Sequence, residues 1–251
     1  MGARRLIWIV VLGAGCQQQL ADVDGAFWST NDPRRLHCAV NLDSEAQVDD
    51  ASLDSGLDRA LRRGEVVELY AHHPGATVPV DKVAYVLAGA QARGLSFFTY
   101  SDFANHAVPP GTPGIALSFD DTSVQAWVDQ LPLFQQYGAR ITFFISHYNT
   151  LPDTARNELH TLADAGHDIE PHSVTHQRGP EYVEQHGMAA YLADEIQPSI
   201  DALSGEGFTL TSYAYPFGSR TDETDRALLE RVSVLRSVAF TYEGDGSPCP
   251  F

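Results

Sequence analysis

Gly114-Ile115-Ala116-Leu117-Ser118-Phe119-Asp120-Asp121 is an apolar run that ends in two adjacent carboxylates. A short continuous apolar stretch, entered here from the Pro/Gly-rich residues 109–114, reads as a buried parallel strand. Asp120 and Asp121 then fall at its C-terminal end. That rim carries the chemistry of α/β barrels, because the loops there surround an open bowl above a packed core. Two neighbouring carboxylates can divide labour, one binding a cation while the other stays free as a base. Taken alone, an Asp-Asp pair also fits a turn or a helix cap.

A second strand-like run, His167-Asp168-Ile169-Glu170-Pro171, follows Gly166 as a helix stop and leads into His172-Ser173-Val174-Thr175-His176. The four-residue spacing is expected to set both imidazoles on one face of a helical turn, as a shared cation requires. Imidazole with carboxylate suits zinc or another borderline divalent ion, and three protein ligands leave positions open for water and substrate. Two histidines among the ten present also suit an ordinary surface. It is the conjunction with Asp120-Asp121 that points to a metal centre.

Around these motifs the pattern alternates regularly. Strands are expected near 39–43, 66–71, 96–100, 115–119, 140–146, 168–171, 211–215 and 236–241. Helices are expected over 53–63, 81–93, 124–137, 153–165, 188–203 and 222–232, where apolar residues recur at three- and four-residue steps, as at Val124, Trp127, Val128, Leu131 and Phe134. Those five are expected to face the core. Strand-helix alternation implies a mainly parallel sheet covered by helices.

Ser118-Phe119-Asp120-Asp121, His172-Ser173-Val174-Thr175-His176 and Tyr215-Pro216-Phe217-Gly218 resemble the first three motifs of the NodB-homology polysaccharide deacetylases, the family 4 carbohydrate esterases, over about residues 114–242. The resemblance implies an α/β fold, a distorted (β/α) barrel. It also implies a metal-dependent hydrolase that cleaves linear amides, removing acetyl groups from an N-acetylated, less often an O-acetylated, polysaccharide. By that likeness Asp120 is the general base, and Asp121, His172 and His176 hold one divalent ion, zinc. Phe217 stands where a backbone N–H would help hold the oxyanion, with Tyr215 and Leu69 forming the pocket beside it. The third motif ordinarily carries an Arg that braces the base, and Ala214 stands in its place, a departure shared with the exopolysaccharide-deacetylase branch. Arg236 on the following strand could substitute, although an Arg on the barrel exterior is the simpler expectation.

The family continues through further β/α units to a late Leu-x-x-His whose His acts as general acid, whereas this sequence runs to Phe251. Upstream, Leu69-Tyr70-Ala71-His72 ends an apolar strand with that spacing, so the resemblance makes His72, rather than His73, the group that protonates the departing amine. The stretch from His37 to Asp102 resembles the C-terminal portion of the same domain. A circular permutation is therefore expected: residues 36–103 equivalent to the family's C-terminal part, 104–114 the join, and 115–251 the N-terminal part, together one barrel. Closing a barrel brings its first and last strands together, and adjacent termini are what permutation tolerates. The alternative is a recombined gene holding two incomplete domains. The length of 36–251, enough for one small barrel, argues against it.

Arg4-Arg5, the apolar run Leu6 to Leu12 and Gly13-Ala14-Gly15-Cys16 resemble a lipoprotein signal cleaved before Cys16, so residues 1–16 are expected to be a signal peptide and 17–35 a tether. Ordinary signal cleavage and secretion remains open at this point. Either route makes the protein an exported one, held to a membrane only through an N-terminal lipid. In an oxidising compartment Cys38 and Cys249, near the two ends of the barrel, can pair.

A net charge of −17 argues against a nucleic-acid or anionic-membrane partner, since both would repel the chain. It is compatible with an acetylated glycan whose products become cationic amines. Tyr148, Tyr182 and Phe217 could stack on sugar rings or simply pack. Two rival functions stay in view: a glycan-binding lipoprotein that keeps the barrel without its chemistry, and a metal-dependent amidohydrolase acting on something other than sugar.

Overall fold

The computed structural model describes residues 19–239 and Cys249. The signal-like residues 1–16, with Cys16, and the end of the last expected strand beyond 239 lie outside the described residues. In chain order the strands are β1 (Phe27–Trp28), β2 (Leu36–Asn41), β3 (Val66–Ala71), β4 (Ser96–Phe98), β5 (Gly114–Asp121), β6 (Ile141–Ile145), β7 (Asp168–Pro171), β8 (Ser212–Ala214) and β9 (Val234–Val238). The α-helices are α1 (Asp50–Arg63), α2 (Val80–Ala92), α3 (Tyr100–Ala104), α4 (Val124–Val128), α5 (Leu131–Tyr137), α6 (Asp153–Asp164), α7 (Gly179–His186), α8 (Met188–Tyr191), α9 (Gln197–Gly205) and α10 (Asp222–Leu228).

Seven parallel strands wind into a nearly closed barrel in the order β7-β6-β5-β3-β2-β9-β8. β3, expected from an upstream segment, pairs along its whole length with β5, Val66 beside Gly114 through Ala71 beside Phe119. On its other side β5 meets β4 first and β6 afterwards. The seam between β7 and β8 is bridged by Glu170. Its buried carboxylate accepts the backbone N–H of Ser212 at 3.0 Å and both the N–H and the hydroxyl of Thr211, at 3.0 and 2.8 Å. Burial pushes this carboxyl up to about 8 against the pull of those donors.

Local sequence explains most boundaries. In α1, Leu53, Leu57 and Ala60 recur at helical steps and are fully buried, Asp49 caps the start by accepting the Ser52 N–H, and Gly64 ends the helix in the left-handed region. β3, β5 and β6 are buried on both faces, as parallel strands beneath helices must be. The expected helix over 124–137 is broken into α4 and α5 near Asp129-Gln130, since Pro132 suits only the first turn of a new helix. Val124, Trp127 and Phe134 fill the core as expected, with Val128 and Leu131 packed at its margin.

Three expectations need correction. Residues 19–35 are no tether: Leu20, Val23, Ala26 and Phe27 are buried, the Leu20 N–H donates to Ser52 Oγ at 2.8 Å, and Arg59 of α1 stacks 3.9 Å over Phe27. Apolar residues at these steps bury an edge of β3 and α1 that would otherwise face water. The helix over 188–203 is interrupted by a π-helical turn, Leu192–Ile196, before α9 restarts with Pro198 in its first turn. His172 to His176 form no helical turn. They are an irregular loop with Ser173 and His176 at positive φ, and α7 follows it unexpectedly.

Candidate active site

The C-terminal ends of β2, β3, β5, β7, β8 and β9 open on one cavity of about 250 Å³. Asp120, Asp121, His172, His176, His72, Tyr215 and Phe217 all line it. Leu69 does not: it is fully buried in the core below, and Tyr70, the next residue on β3, lines the cavity instead. Alternation along a strand sends neighbouring side chains to opposite faces.

Asp121, His172 and His176 offer one ligand atom each within 4.8 Å of one another. Asp121 Oδ1 lies 3.3 Å from His176 Nε2 and 3.9 Å from His172 Nε2. A tetrahedron whose ligands stand about 2.0–2.2 Å from a zinc ion has edges of about 3.3–3.6 Å, which the His176 separation meets and the His172 separation exceeds by a few tenths of an ångström. His172 directs Nδ1 to the Ala214 carbonyl at 2.8 Å, which leaves Nε2 as the acceptor facing the cluster. Burial, followed by the neighbouring His176, holds His172 well below its ordinary range, and burial lowers His176 as well. Neutral imidazoles are what a metal requires. The His176 loop is clamped by the π-helical turn, where the Glu195 carboxylate accepts the Thr175 N–H at 2.8 Å as well as its hydroxyl, and the His176 N–H caps onto Ser173 Oγ at 2.9 Å.

Asp120 also borders this cluster, its Oδ2 lying 3.9 Å from His172 Nε2, but it is engaged by Arg236. The Arg236 side chain is 1% exposed and its guanidinium donates to Asp120 Oδ2. The expectation of an Arg on the barrel exterior is thus overturned, because a guanidinium within a strand buried at all five positions must meet a carboxylate. Arg236 sits directly beside Ala214 in the β8–β9 register, so the group absent from the third motif is presented one strand over. The other oxygen, Asp120 Oδ1, is buried without a hydrogen-bond partner.

His72 closes the opposite wall. Its Nδ1 pairs with Asp43 just after β2, and Asp43 in turn accepts the Thr77 hydroxyl at 2.7 Å. Burial opposes its charge, yet the Asp43 hydrogen bond and the carboxylates of Asp120, Asp43 and Asp121 outweigh it and raise His72 to about 9. Trp127 of α4 fixes the backbone by donating its indole N–H to the His72 carbonyl at 2.8 Å. Asp43 escaped the reading of motifs; its signal was a lone carboxylate closing the apolar run Cys38 to Leu42.

Phe217, at φ 58, is 46% exposed, with its ring 4.5 Å from that of His176 and the Arg178 guanidinium 4.0 Å above it. The turn holding it is pinned because Gly218 admits no side chain, a Cβ there meeting Val238 at 2.4 Å, and because Tyr215 donates to Asp225 at 2.9 Å. Of the other two aromatics, Tyr148 is buried under Arg156 and Tyr182 is tied to Asp194. Cys38 and Cys249 form a disulfide with Cα atoms 6.0 Å apart.

The family model for polysaccharide deacetylase matches residues 107–232. A curated gellan lyase from a Bacillus species is 30% identical over 112 residues, covering 45% of this chain, which spans about 4% of that relative's length. Among solved structures, IcaB from Ammonifex degensii superposes with a TM-score of 0.58 at 16% identity, over 74% of this chain and 88% of IcaB. The Streptococcus pyogenes deacetylase PplD, in complex with acetate, gives 0.51 at 15% identity over 72% and 93%. At such identities the likeness shows the fold, and it extends over more of the chain than the segment from residue 107 onward could supply. With the family model matching half its length, the chain belongs to the polysaccharide deacetylase family of hydrolases.

Proposed function

We propose that this cavity removes acetyl groups from an N-acetylated polysaccharide, with Asp120 as base, His72 as acid, and a divalent ion, zinc, held by Asp121, His172 and His176. The observation that carries this reading is the buried carboxylate of Asp120, whose Oδ2 lies 3.9 Å from His172 Nε2 of the three-ligand cluster while its Oδ1 is without a hydrogen-bond partner. Leaving a buried acceptor unsatisfied costs about 1–3 kcal/mol, and a barrel that only bound glycan would have no use for it. A bound ion would supply Lewis acidity, polarising the acetyl carbonyl and lowering the pKa of water.

Arg236 braces the Asp120 carboxylate beside the cluster, and Asp120 takes the proton of the attacking water. His72, charged at neutral pH through Asp43, gives its proton to the nitrogen as the amide C–N bond breaks, releasing acetate and a free amine. Phe217 walls the cavity on the side of His176. The test is acetate release from a panel of N- and O-acetylated glycans with and without chelator. Absence of release under every metal condition would refute the reading.

The order of elements is read as a circular permutation, supported by His72 arriving on β3 ahead of Asp120 and by the β2–β9 pairing that joins the two ends of the barrel. Export with lipidation at Cys16 is part of the same proposal. The Cys38–Cys249 disulfide supports an oxidising compartment, and labelled fatty acid that fails to enter the wild type would exclude the lipid.

A further inference from the structure

The other end of the barrel holds a larger cavity, of about 460 Å³. His37 and Val234, which line it, stand at the starts of β2 and β9, so it opens at the N-terminal mouth, opposite the metal cavity. That end of an α/β barrel ordinarily serves stability, which calls for side chains packed without a void. A space of this size instead falls within the roughly 300–1,000 Å³ of pockets that take a whole small ligand.

The lining is aromatic. Phe103 of α3 stacks on the His37 ring with centroids 4.4 Å apart, and Trp28 of β1 stands 4.9 Å from Phe103. His37, 1% exposed, pairs through Nδ1 with the buried Glu68 carboxylate at 3.0 Å, which leaves Nε2 as the polar atom of the ring still unengaged. Tyr100 donates to the other oxygen of Glu68 at 3.0 Å and so fixes the pair. The indole N–H of Trp28 is buried and has no hydrogen-bond partner among the described residues. A donor left so costs about 1–3 kcal/mol until something accepts from it.

The lining also carries positive charge. Arg34 is balanced by Asp32, 3.1 Å away. Arg35 is not: Nε and Nη2 donate to the carbonyls of Ser233 at 2.6 Å, Val232 at 3.0 Å and Leu229 at 3.2 Å, and among the described residues no carboxylate pairs with it. Nη1 is left over. His106, exposed, lines the same cavity, and Asp32 is the one acidic side chain there. On a chain of net charge −17, this mouth is a local reversal of sign that draws an anion.

We propose that the N-terminal mouth is a second binding site, for a small organic anion with a flat aromatic body. The ring lies against Trp28 and Phe103, and the anionic group faces Arg35 and His106. This site goes beyond the deacetylase reading and stands whether or not that reading holds.

The test is an NMR titration of the isotope-labelled full chain with 2-naphthoate, its neutral amide 2-naphthamide, and acetate. Two indole N–H signals separate the two ends of the barrel: Trp28 reports the N-terminal mouth, whereas Trp127, bonded to the His72 carbonyl, reports the metal cavity. 2-Naphthoate should shift the Trp28 signal saturably and bind about tenfold more tightly than 2-naphthamide, while acetate leaves that signal in place. His106→Glu, an exposed change that sets a negative charge on the lining, should weaken 2-naphthoate by about tenfold. Arg35→Gln should do the same, and if losing its carbonyl contacts unfolds the chain, His106→Glu decides alone. A Trp28 signal that 2-naphthoate leaves unmoved, a shift confined to Trp127, equal affinity for 2-naphthamide, or undiminished binding in His106→Glu overturns the proposal.

Discussion

The two walls of the active-site cavity are built in opposite ways. One wall, Asp120 and Asp121 on β5 with His172 and His176 after β7, lies within the segment that matches the family, and each pair comes from a few consecutive residues. The other wall assembles Asp43 and His72, just past the ends of β2 and β3, with Arg236 from the middle of β9, all outside that segment. The proposed metal cluster is a local motif because residues that hold one ion must meet within its reach. Groups proposed to handle protons need only face that cluster, so any strand of the barrel can supply them. Arg236 illustrates this, standing in register beside Ala214 and reaching the same carboxylate from the neighbouring strand.

The comparison breaks first at the metal wall. His172→Ala/His176→Ala should abolish retention of a divalent ion and, with it, acetate release, as elemental analysis and an acetate assay will show; full metal retention would remove the cluster from the mechanism. Asp120→Asn should keep the ion while acetate release falls by ~10²–10⁴, the range for a general base. An active Asp120→Asn would end the assignment of the base.

The opposite wall should respond through electrostatics and stability. Arg236→Met strands a buried carboxylate and should cost about 3–5 kcal/mol in chemical denaturation, together with most of the activity. Arg236→Ala/Ala214→Arg returns the guanidinium to the adjacent strand and should regain part of the activity lost in Arg236→Ala. Failure to regain any would mean that Arg236 does more than brace Asp120.

His72 has a proton to give only below its raised value of about 9, so acetate release should decline as pH rises through that value, and Asp43→Asn should move the decline toward lower pH. The stability that the Asp43–His72 pair contributes follows the same sign. The folded value lies above the ordinary 6.5, so this contribution is full below about pH 6.5 and is lost as pH rises through about 9. NMR titration of His72 in metal-free protein checks both. The smallest expected change is Cys38→Ser, which removes the disulfide and should lower stability by about 2–5 kcal/mol while leaving the metal wall intact.

The sequence by itself determined the repeating strand and helix segments and the residues we propose as metal ligands and base, because each is written in neighbouring residues: an apolar run closed by Asp120-Asp121, two histidines four apart, helices at three- and four-residue steps. It also named His72, through a short spacing, although that residue lies far from the other motifs. Only the tertiary structure decided what depends on contacts between distant segments. It packed Leu20 to Phe27 against α1 where a tether was expected, and it set His172 and His176 on a strained loop clamped by Glu195 rather than on a helical turn. It also turned Arg236 inward to Asp120 and brought Asp43 beneath His72. Periodicity reports which face of an element is apolar, but the partner of a buried charge is chosen by strand order and register, and these exist only once the barrel has closed.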